Sequence, residues 1–468
     1  MMMDMPTDGP GVLVIGDTGA VSWWSSRVAA VPPVDLAAGP GIVVRVDPTR
    51  PGAPLAWAME PDARTETLAV IFGDTGPAAF LDDRRHRGET VHSLESPRLT
   101  VPWTRRAMVA AAVRWTVRPV DNGALLLDEA MTEQAVGHRS AARQLFIHAE
   151  YALRDFVDRC IEGEMPTGTV TSVRRALEAA ESAGLGGEIA ALRTRLAEAA
   201  PITDAELRSV LTEWAEESGV GGEVLIGDPV PDRTDSARNP LDLAMIPPRI
   251  LAWQGRHFPE LLIEHRAADE TFVVSAALAA GVDPFGKEAR EFLAYCADNR
   301  TGTLVAVAPA RATEGTVVAE LPDRGRELGS VVFGLAGGGS DLSALRCDPI
   351  GRTLADIDRG MVEAWNQHRA AIATLSAAAG IDDAGTAAQA RIHCDELLLR
   401  AQEAVGEARR QLAELLGGLP EPEERITGAL TARLTAVDEY AGQLWNPVPV
   451  AVDELLLLES IAPRPDEE

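Results

Sequence analysis

The sequence predicts an α+β protein with two β-rich regions, each an antiparallel sheet or sandwich and each followed by a helical bundle. Two observations predict this class. Short apolar runs separated by proline, glycine and aspartate fill residues 1–130 and 249–350, which is typical of strands joined by turns. Apolar residues spaced three and four positions apart fill residues 138–218 and 351–445, which is typical of amphipathic helices.

Residues 1–130 form the first predicted β-rich domain. Turn-forming stretches such as Pro48–Gly52 and Asp121–Gly123 separate its apolar runs, and its prolines disfavour long central strands. We therefore expect several short strands. They are Ile42–Val46, Leu55–Met59, Leu68–Phe72, Ala107–Val117 and Ala124–Leu127.

The tetrapeptide Gly-Asp-Thr-Gly occurs twice in this domain, at Gly16–Gly19 and Gly73–Gly76, each time after a β-branched run. Asp-Thr-Gly is also the catalytic tripeptide of aspartic proteases, in which two carboxylates share one proton. Those enzymes place an apolar residue before the aspartate, whereas both copies here have glycine. We therefore interpret both copies as hairpin turns, in which Gly19 and Gly76 adopt a positive φ.

Residues 138–218 are predicted to be helical. A continuous stripe of apolar residues from Ala142 to Cys160 predicts one helix with a broad buried face. Shorter helices are predicted around Val173–Ala180 and Ile189–Ala199. A last helix should begin at Thr203, because Thr203 and Glu206 have the spacing of a capping box.

Residues 221–248 are rich in glycine and proline and predict a linker or a long crossing loop. Residues 249–350 form the second β-rich region, which one helix interrupts. Asp283 and Pro284 should begin this helix, and its apolar face is Phe285, Phe292, Leu293 and Cys296. The predicted strands are Ile250–Trp253, Leu261–Glu264, Phe272–Ala276, Thr303–Val307, Thr316–Glu320 and Val331–Phe333.

Residues 351–445 predict a helical hairpin and a third helix, and residues 446–468 predict a tail, disordered from Pro463 onward. The two hairpin helices have apolar seams that could meet a partner helix as well as fill their own core. The residues predicted to bind a partner are Leu354, Ile357, Met361, His368, Leu375, Leu398, Val405, Leu412 and Leu415.

The charge of the chain restricts its partners. Its 43 basic and 71 acidic residues give a net charge of −28, which disfavours nucleic acid and anionic membranes. The 4 cysteines form no Cys-x-x-Cys pair, and the first ten residues have neither the charges nor the apolar core of a signal peptide. We therefore expect a cytoplasmic protein, and arginine in place of nearly every lysine indicates a bacterial source.

Several sequence patterns could belong to a catalytic or ligand-binding site, but each has a simpler explanation as part of the structure. Gly337–Asp341 lacks the order of a phosphate-binding loop and is interpreted as a flexible loop. Three histidines lie close to carboxylates in the sequence: His86, His148 and His393. They lack the spacing of a helical zinc site, so we interpret them as solvated surface residues. His368 lies in an apolar seam and should be a hydrogen-bonded core histidine with a lowered pKa. We therefore assign no catalytic residue, cofactor site or metal site.

The favoured function is a protein-interaction, scaffold or regulatory protein without catalytic activity, whose partners are other proteins, a second copy of itself included. This interpretation depends on three observations: the sequence contains no coherent set of catalytic residues, the chain is acidic, and two helices have apolar seams. A hydrolase with a site between the β-rich regions is the first alternative, and it requires a pocket in which distant titratable residues meet. A small-molecule-binding regulatory module is the second.

Overall fold

The computed structural model describes most of the chain. The described residues are 10–73, 76–81, 90–116, 120–163, 165, 167–198, 236–252, 258–279, 282–313, 315–378, 384–419, 424–445, 447 and 455–461. Within them the α+β class is confirmed, with antiparallel sheets in the N-terminal and middle parts and a helical region after each.

Six strands from the described N-terminal residues form one antiparallel sheet in the order β3-β4-β5-β2-β1-β6. Buried and exposed residues alternate along these strands, so one face packs on the core and the other faces outward. The strands are β1 (Gly11–Ile15), β2 (Val21–Trp24), β3 (Val34–Gly39), β4 (Ile42–Val46), β5 (Pro54–Met59) and β6 (Thr90–Leu94).

The first Gly-Asp-Thr-Gly copy forms the predicted hairpin turn between β1 and β2. Gly19 has a φ of 81°, and the amide of Gly16 donates to the carbonyl of Ala20 at 2.8 Å. The second copy differs. Gly73, not Gly76, has the positive φ, 84°, and its amide donates to the Ala69 carbonyl as the cap of a helix. The hairpin prediction for the second copy is therefore wrong, and Asp74 lies outside the described residues.

Three predicted strands of this region are helical instead. Leu68–Phe72 belongs to α1 (Glu66–Phe72), Ala107–Val117 overlaps α3, and Ala124–Leu127 lies in α4. Alanine and leucine favour a helix, and Asp121 accepts a hydrogen bond from the amide of Ala124 at 2.8 Å at the start of α4. The other two helices of this group are α2 (Pro77–Leu81) and α3 (Val101–Trp115), and α4 spans Asn122–Ala135.

The apolar stripe from Ala142 to Cys160 covers two helices instead of one. α5 (Arg139–His148) and α6 (Glu150–Glu162) are separated at Ala149, whose backbone leaves the helical conformation. The two shorter predicted helices are confirmed as α7 (Thr167–Ser182) and α8 (Glu188–Glu198). The helix predicted at Thr203 lies outside the described residues.

The middle of the chain is a sandwich of a five-stranded and a three-stranded antiparallel sheet, counted over the described residues. Side chains of both sheets share one core, in which the rings of Phe272 and Phe333 are 5.0 Å apart. The strands are β7 (Ser236–Pro240), β8 (Glu260–Arg266), β9 (Thr271–Ala277), β10 (Leu293–Asp298), β11 (Leu304–Pro309), β12 (Arg311–Thr313), β13 (Thr316–Pro322) and β14 (Val331–Ala336).

Three predictions for this region are wrong. The helix expected to include Phe292–Cys296 is only α9 (Lys287–Arg290), and β10 follows it between β11 and β14. The predicted strand at Ile250–Trp253 contributes one isolated bridge, from Leu251 to Leu278. The predicted linker contains β7, which pairs with β8 at the sheet edge, while residues 221–235 lie outside the described part. The other predicted strands are confirmed.

The C-terminal helical hairpin is confirmed. α10 (Pro349–Ala378) and α11 (Ala384–Gly418) pack against each other along their apolar seams, and α12 (Glu424–Leu444) packs on α11. These helices share their main core with the N-terminal sheet and with α3–α8. The sandwich precedes them in the sequence but has a separate core.

Part of the predicted C-terminal tail lies in the main core. Residues 455–461, which include the short α13 (Leu457–Ser460), are buried between α4, α7 and α10. The amide of Leu458 donates to the buried Asp128 carboxylate at 3.0 Å. Glu459 forms two hydrogen bonds of 2.7 Å with Arg369 of α10. Residues 463–468, predicted to be disordered, lie outside the described part.

Candidate functional site

The nine residues predicted to bind a partner line the inner faces of α10 and α11. All are buried except Leu354 and Leu415, which are half-buried, and they pack into the core of this chain. The prediction that His368 is a hydrogen-bonded core histidine is confirmed, because its Nδ1 lies 3.2 Å from the hydroxyl of Tyr440. Burial lowers the pKa of His368 to about 4, and Arg369 adds to this shift.

The most distinctive surface is the outward face of the N-terminal sheet, which we call the open face. In an antiparallel sheet with one solvated face, the outward residues are normally polar. Here many of the outward-facing residues are apolar, and they extend across β6, β1, β2, β5 and β4. The open face consists of Val12, Val14, Ser22, Trp24, Val43, Ala56, Ala58, Val91 and Ser93.

Trp24 lies at the centre of the open face. It pairs across strands with Val12 on one side and Ala56 on the other, and it remains 49% exposed. Val14 pairs with Val91, which is 66% exposed. Large contiguous exposed apolar patches are rare on globular proteins, which makes the open face a candidate functional surface.

The open face has almost no charge. On the end strand β3 and its neighbour β4, Asp35 and Arg45 pair side by side at 2.7 Å, so their charges cancel. The whole chain carries a net charge of −28, so most of its surface repels another copy of itself. The nine residues of the open face add no charge to this repulsion.

Sequence reasoning missed this surface, although the sequence contains a signal for it. In Val12–Ile15 and in Trp23–Trp24, apolar residues occupy both alternating sets of positions, not one. Strands with two apolar faces are normally covered on both sides. The pattern therefore indicated that something covers the second face, but it could not identify the cover.

A cleft of about 740 Å³ lies beside the open face, between the edge of β3 and helix α3. We call it the edge groove. Its apolar wall comes from Val109, Ala110 and Val113, which lie on one face of α3. A second wall is formed by Val34–Ala37 of β3, and its rim contains charged residues from α4, α10 and α12.

Most arginines of the edge groove are paired with carboxylates. Arg106 contacts Glu133 at 2.7 Å, and Glu133 in turn lies 2.5 Å from Nδ1 of His138. Arg106 also donates to the carbonyl of Ala37 at 2.6 Å, which ties the edge of β3 to α3. Arg433 pairs with Asp358 at 2.7 Å. These contacts fix the rim without leaving a free charge on these groups.

Arg114 is the exception among the arginines of the groove. Its guanidinium donates to the backbone carbonyls of Leu243 at 2.7 Å and Ala244 at 3.1 Å, and also to Ile246. It forms no ion pair with any described carboxylate, and the nearby Asp242 is bound to Arg346. Burial lowers the pKa of Arg114 to about 10, and the attraction of the nearby Asp242 offsets only part of this effect.

Gly337–Ser340 of the glycine-rich segment lines a smaller cavity of about 340 Å³ together with Lys287. Close packing accounts for two of its glycines: a Cβ on Gly337 would lie 2.9 Å from Pro247, and one on Gly338 would lie 2.5 Å from Glu291. The amide of Gly337 donates to the carbonyl of Met245 at 2.8 Å. The segment is therefore held against its neighbours by these contacts.

The remaining candidates for chemistry do not come together. His86 and its aspartates lie outside the described residues, and His393 is 3.9 Å from Glu396. Among the residues that the structure describes, no three His, Cys, Asp or Glu side chains are placed to hold a metal ion. The cysteines are buried thiols, and burial raises the pKa of Cys160 to about 12, so that thiol is a weak nucleophile.

The described helices contain no segment long and apolar enough to cross a membrane. Comparison with known proteins gives no relative, because no family model, curated protein or solved structure matches the chain.

Proposed function

We propose that this chain is a protein-interaction protein of the scaffold or regulatory kind, and that a second copy of the chain covers its open face. The observation that carries the proposal is the uncharged apolar surface around Trp24. A twofold dimer would place this surface against itself, since an isologous interface uses the same patch on both subunits.

The shape and size of the open face support this partner. Two sheets can stack face to face about 10 Å apart, with their apolar side chains interdigitated. Its five strands, spaced about 4.8 Å apart and about 17 Å long, present roughly 400 Å² of sheet. Stable complexes usually bury about 800 Å² per partner, so we expect the dimer to bury surface around the open face as well.

The charge distribution supports the same partner. A strongly acidic chain can approach its own copy only where the contact region is uncharged, because like charges within the screening length of about 8 Å repel. The open face meets this condition. The same acidity supports protein partners over nucleic acid, and the buried free thiols support a cytoplasmic location.

The hydrolase alternative has less support. The edge groove has the volume of a substrate site, but Glu133, Asp35 and Asp358 on its rim are each held by an arginine. Burial raises the pKa of Glu129, the remaining described carboxylate of the groove, but a hydrolase also requires a nucleophile or a second acid–base group beside it.

Sedimentation velocity tests the dimer. We expect the full chain to sediment at about twice its 49.8 kDa mass, and Trp24→Ser to shift it towards the monomer. Trp445→Ser is the matched control, because Trp445 is 71% exposed and lies outside the open face. Because the contact is apolar and the subunits repel, added salt should strengthen the dimer.

Three results would contradict the proposal: a monomer at every concentration, a dimer that Trp24→Ser leaves intact, or a dimer that salt dissociates. The first two would mean that another occupant, such as a different part of the same chain, covers the open face. The third would mean that ion pairs hold the subunits together.

A further inference from the structure

The edge of β3 offers backbone hydrogen-bonding groups to the edge groove. In the described sheet β3 is an end strand, so alternate residues turn their N–H and C=O away from β4. The Ala37 carbonyl points this way, because it accepts a hydrogen bond from Arg106. Asp35, two residues earlier on the same strand, turns its N–H and C=O to the same side.

The opposite wall fits the side chains of an added strand. Val109, Ala110 and Val113 form an apolar strip on the face of α3 that lines the groove. In an extended peptide every second side chain points to the same side, so one set would pack on this strip while the other faced solvent. An edge strand beside a helix is the arrangement used for β-strand addition.

The charge of the groove adds a preference for one kind of peptide. Arg45, Arg106 and Arg433 are paired with carboxylates, whereas Arg114 donates to backbone carbonyls, lies over the Trp115 ring at 4.6 Å and forms no ion pair with a described carboxylate. A carboxylate brought into the groove would give Arg114 a directly bound counter-charge. A hydrogen bond between charged groups that are shielded from water is stronger than one between neutral groups.

We propose that the edge groove binds an extended peptide that carries a carboxylate, by adding it as a strand to β3 and placing the carboxylate near Arg114. This goes beyond the proposed dimer, because the groove lies at the edge of the sheet and not on its open face. A Trp24→Ser monomer should therefore bind peptide as the wild type does.

The test begins with a displayed library of random linear peptides, selected on the full-length chain. We expect the selected peptides to share an aspartate, a glutamate or a C-terminal carboxylate. In the tightest peptide, N-methylation of the alternate amides that face β3 should abolish binding, while N-methylation of the other set should not, because only one edge of an added strand bonds to the sheet.

Two variants locate the site, measured by fluorescence anisotropy of that peptide. Arg114→Gln keeps a donor for the Leu243 carbonyl but removes the charge, and should weaken binding about 10- to 100-fold. The exposed Arg143→Gln is its control and should have no effect. Asp35→Pro removes the outward N–H and should weaken binding more than Asp35→Asn, which removes the same carboxylate but keeps the N–H.

Several outcomes would overturn the proposal. The proposal fails if the library yields no peptide that binds the wild-type chain specifically. It also fails if the peptide tolerates both N-methylation patterns equally, or if Asp35→Pro and Asp35→Asn bind the peptide equally well. Peptides without a carboxylate that bind equally well to Arg114→Gln would remove the role of Arg114. Failure of the dimer test would leave these results unaffected, so the two proposals are distinguishable.

Discussion

His368 shows how one buried residue makes stability depend on pH. The unfolded chain protonates this histidine near pH 6.5, whereas the folded chain does so only near pH 4, because burial disfavours the charged ring. Between these values the unfolded state binds an extra proton. Acidification through this window therefore removes up to about 3 kcal/mol of folding free energy.

His368→Gln should remove this dependence, because glutamine does not titrate and can still bond to the Tyr440 hydroxyl. We expect urea denaturation to show a smaller loss of stability in the variant than in the wild type between pH 6.5 and 4.5. Equal losses would mean that other groups cause the acid sensitivity.

At the scale of single elements, the segment around α13 combines buried apolar side chains with a buried ion pair. Arg369 and Glu459 form two parallel hydrogen bonds of 2.7 Å, and Glu459 also accepts from the amide of Leu456 at 2.9 Å. Removing one partner of such a pair leaves a buried charge alone.

Glu459→Ala should therefore cost about 3–5 kcal/mol in the free energy of unfolding. The double variant Arg369→Met with Glu459→Leu should recover most of this loss, because it removes both charges and keeps the volume. Glu414→Ala, in the exposed pair with Arg410, is the control and should change stability little. Chemical denaturation measures all three, and a double variant as unstable as Glu459→Ala would contradict the argument.

The elements differ in how well the sequence predicts them, for physical reasons. α10 and α11 are predicted correctly because a spacing of three and four persists over many turns. Phe292–Cys296 is mispredicted because β10 is buried on both faces, so its apolar run lacks the alternation of a strand. The candidate site is harder: Asp35 and Arg114 are distant in sequence, and only the tertiary fold brings both to the edge groove.

At the scale of the whole molecule, the described chain contains two main cores. One joins the N-terminal sheet, α3–α8 and the C-terminal helices, and the other lies inside the sandwich. Separate cores open with different free energies when few apolar contacts join them. We therefore expect the sandwich and the remainder to respond separately to core substitutions.

Hydrogen exchange with mass spectrometry tests this separation. Phe272→Ala, in the sandwich core, should increase exchange in residues 260–336 and leave residues 120–162 largely protected. Phe146→Ala, in the main core, should do the reverse. Equal loss of protection in both regions after either substitution would show one cooperative unit.

The burial of residues 455–461 in the main core also has a consequence for biosynthesis. The N-terminal sheet is translated first and ends at Leu94, but its core is completed only by a segment that begins roughly 360 residues later. At about 5–20 residues per second, the ribosome needs roughly 20–70 s to reach that segment. During that interval the nascent chain exposes the apolar surface that residues 455–461 cover in the folded protein, so we expect it to be most prone to aggregation before translation ends.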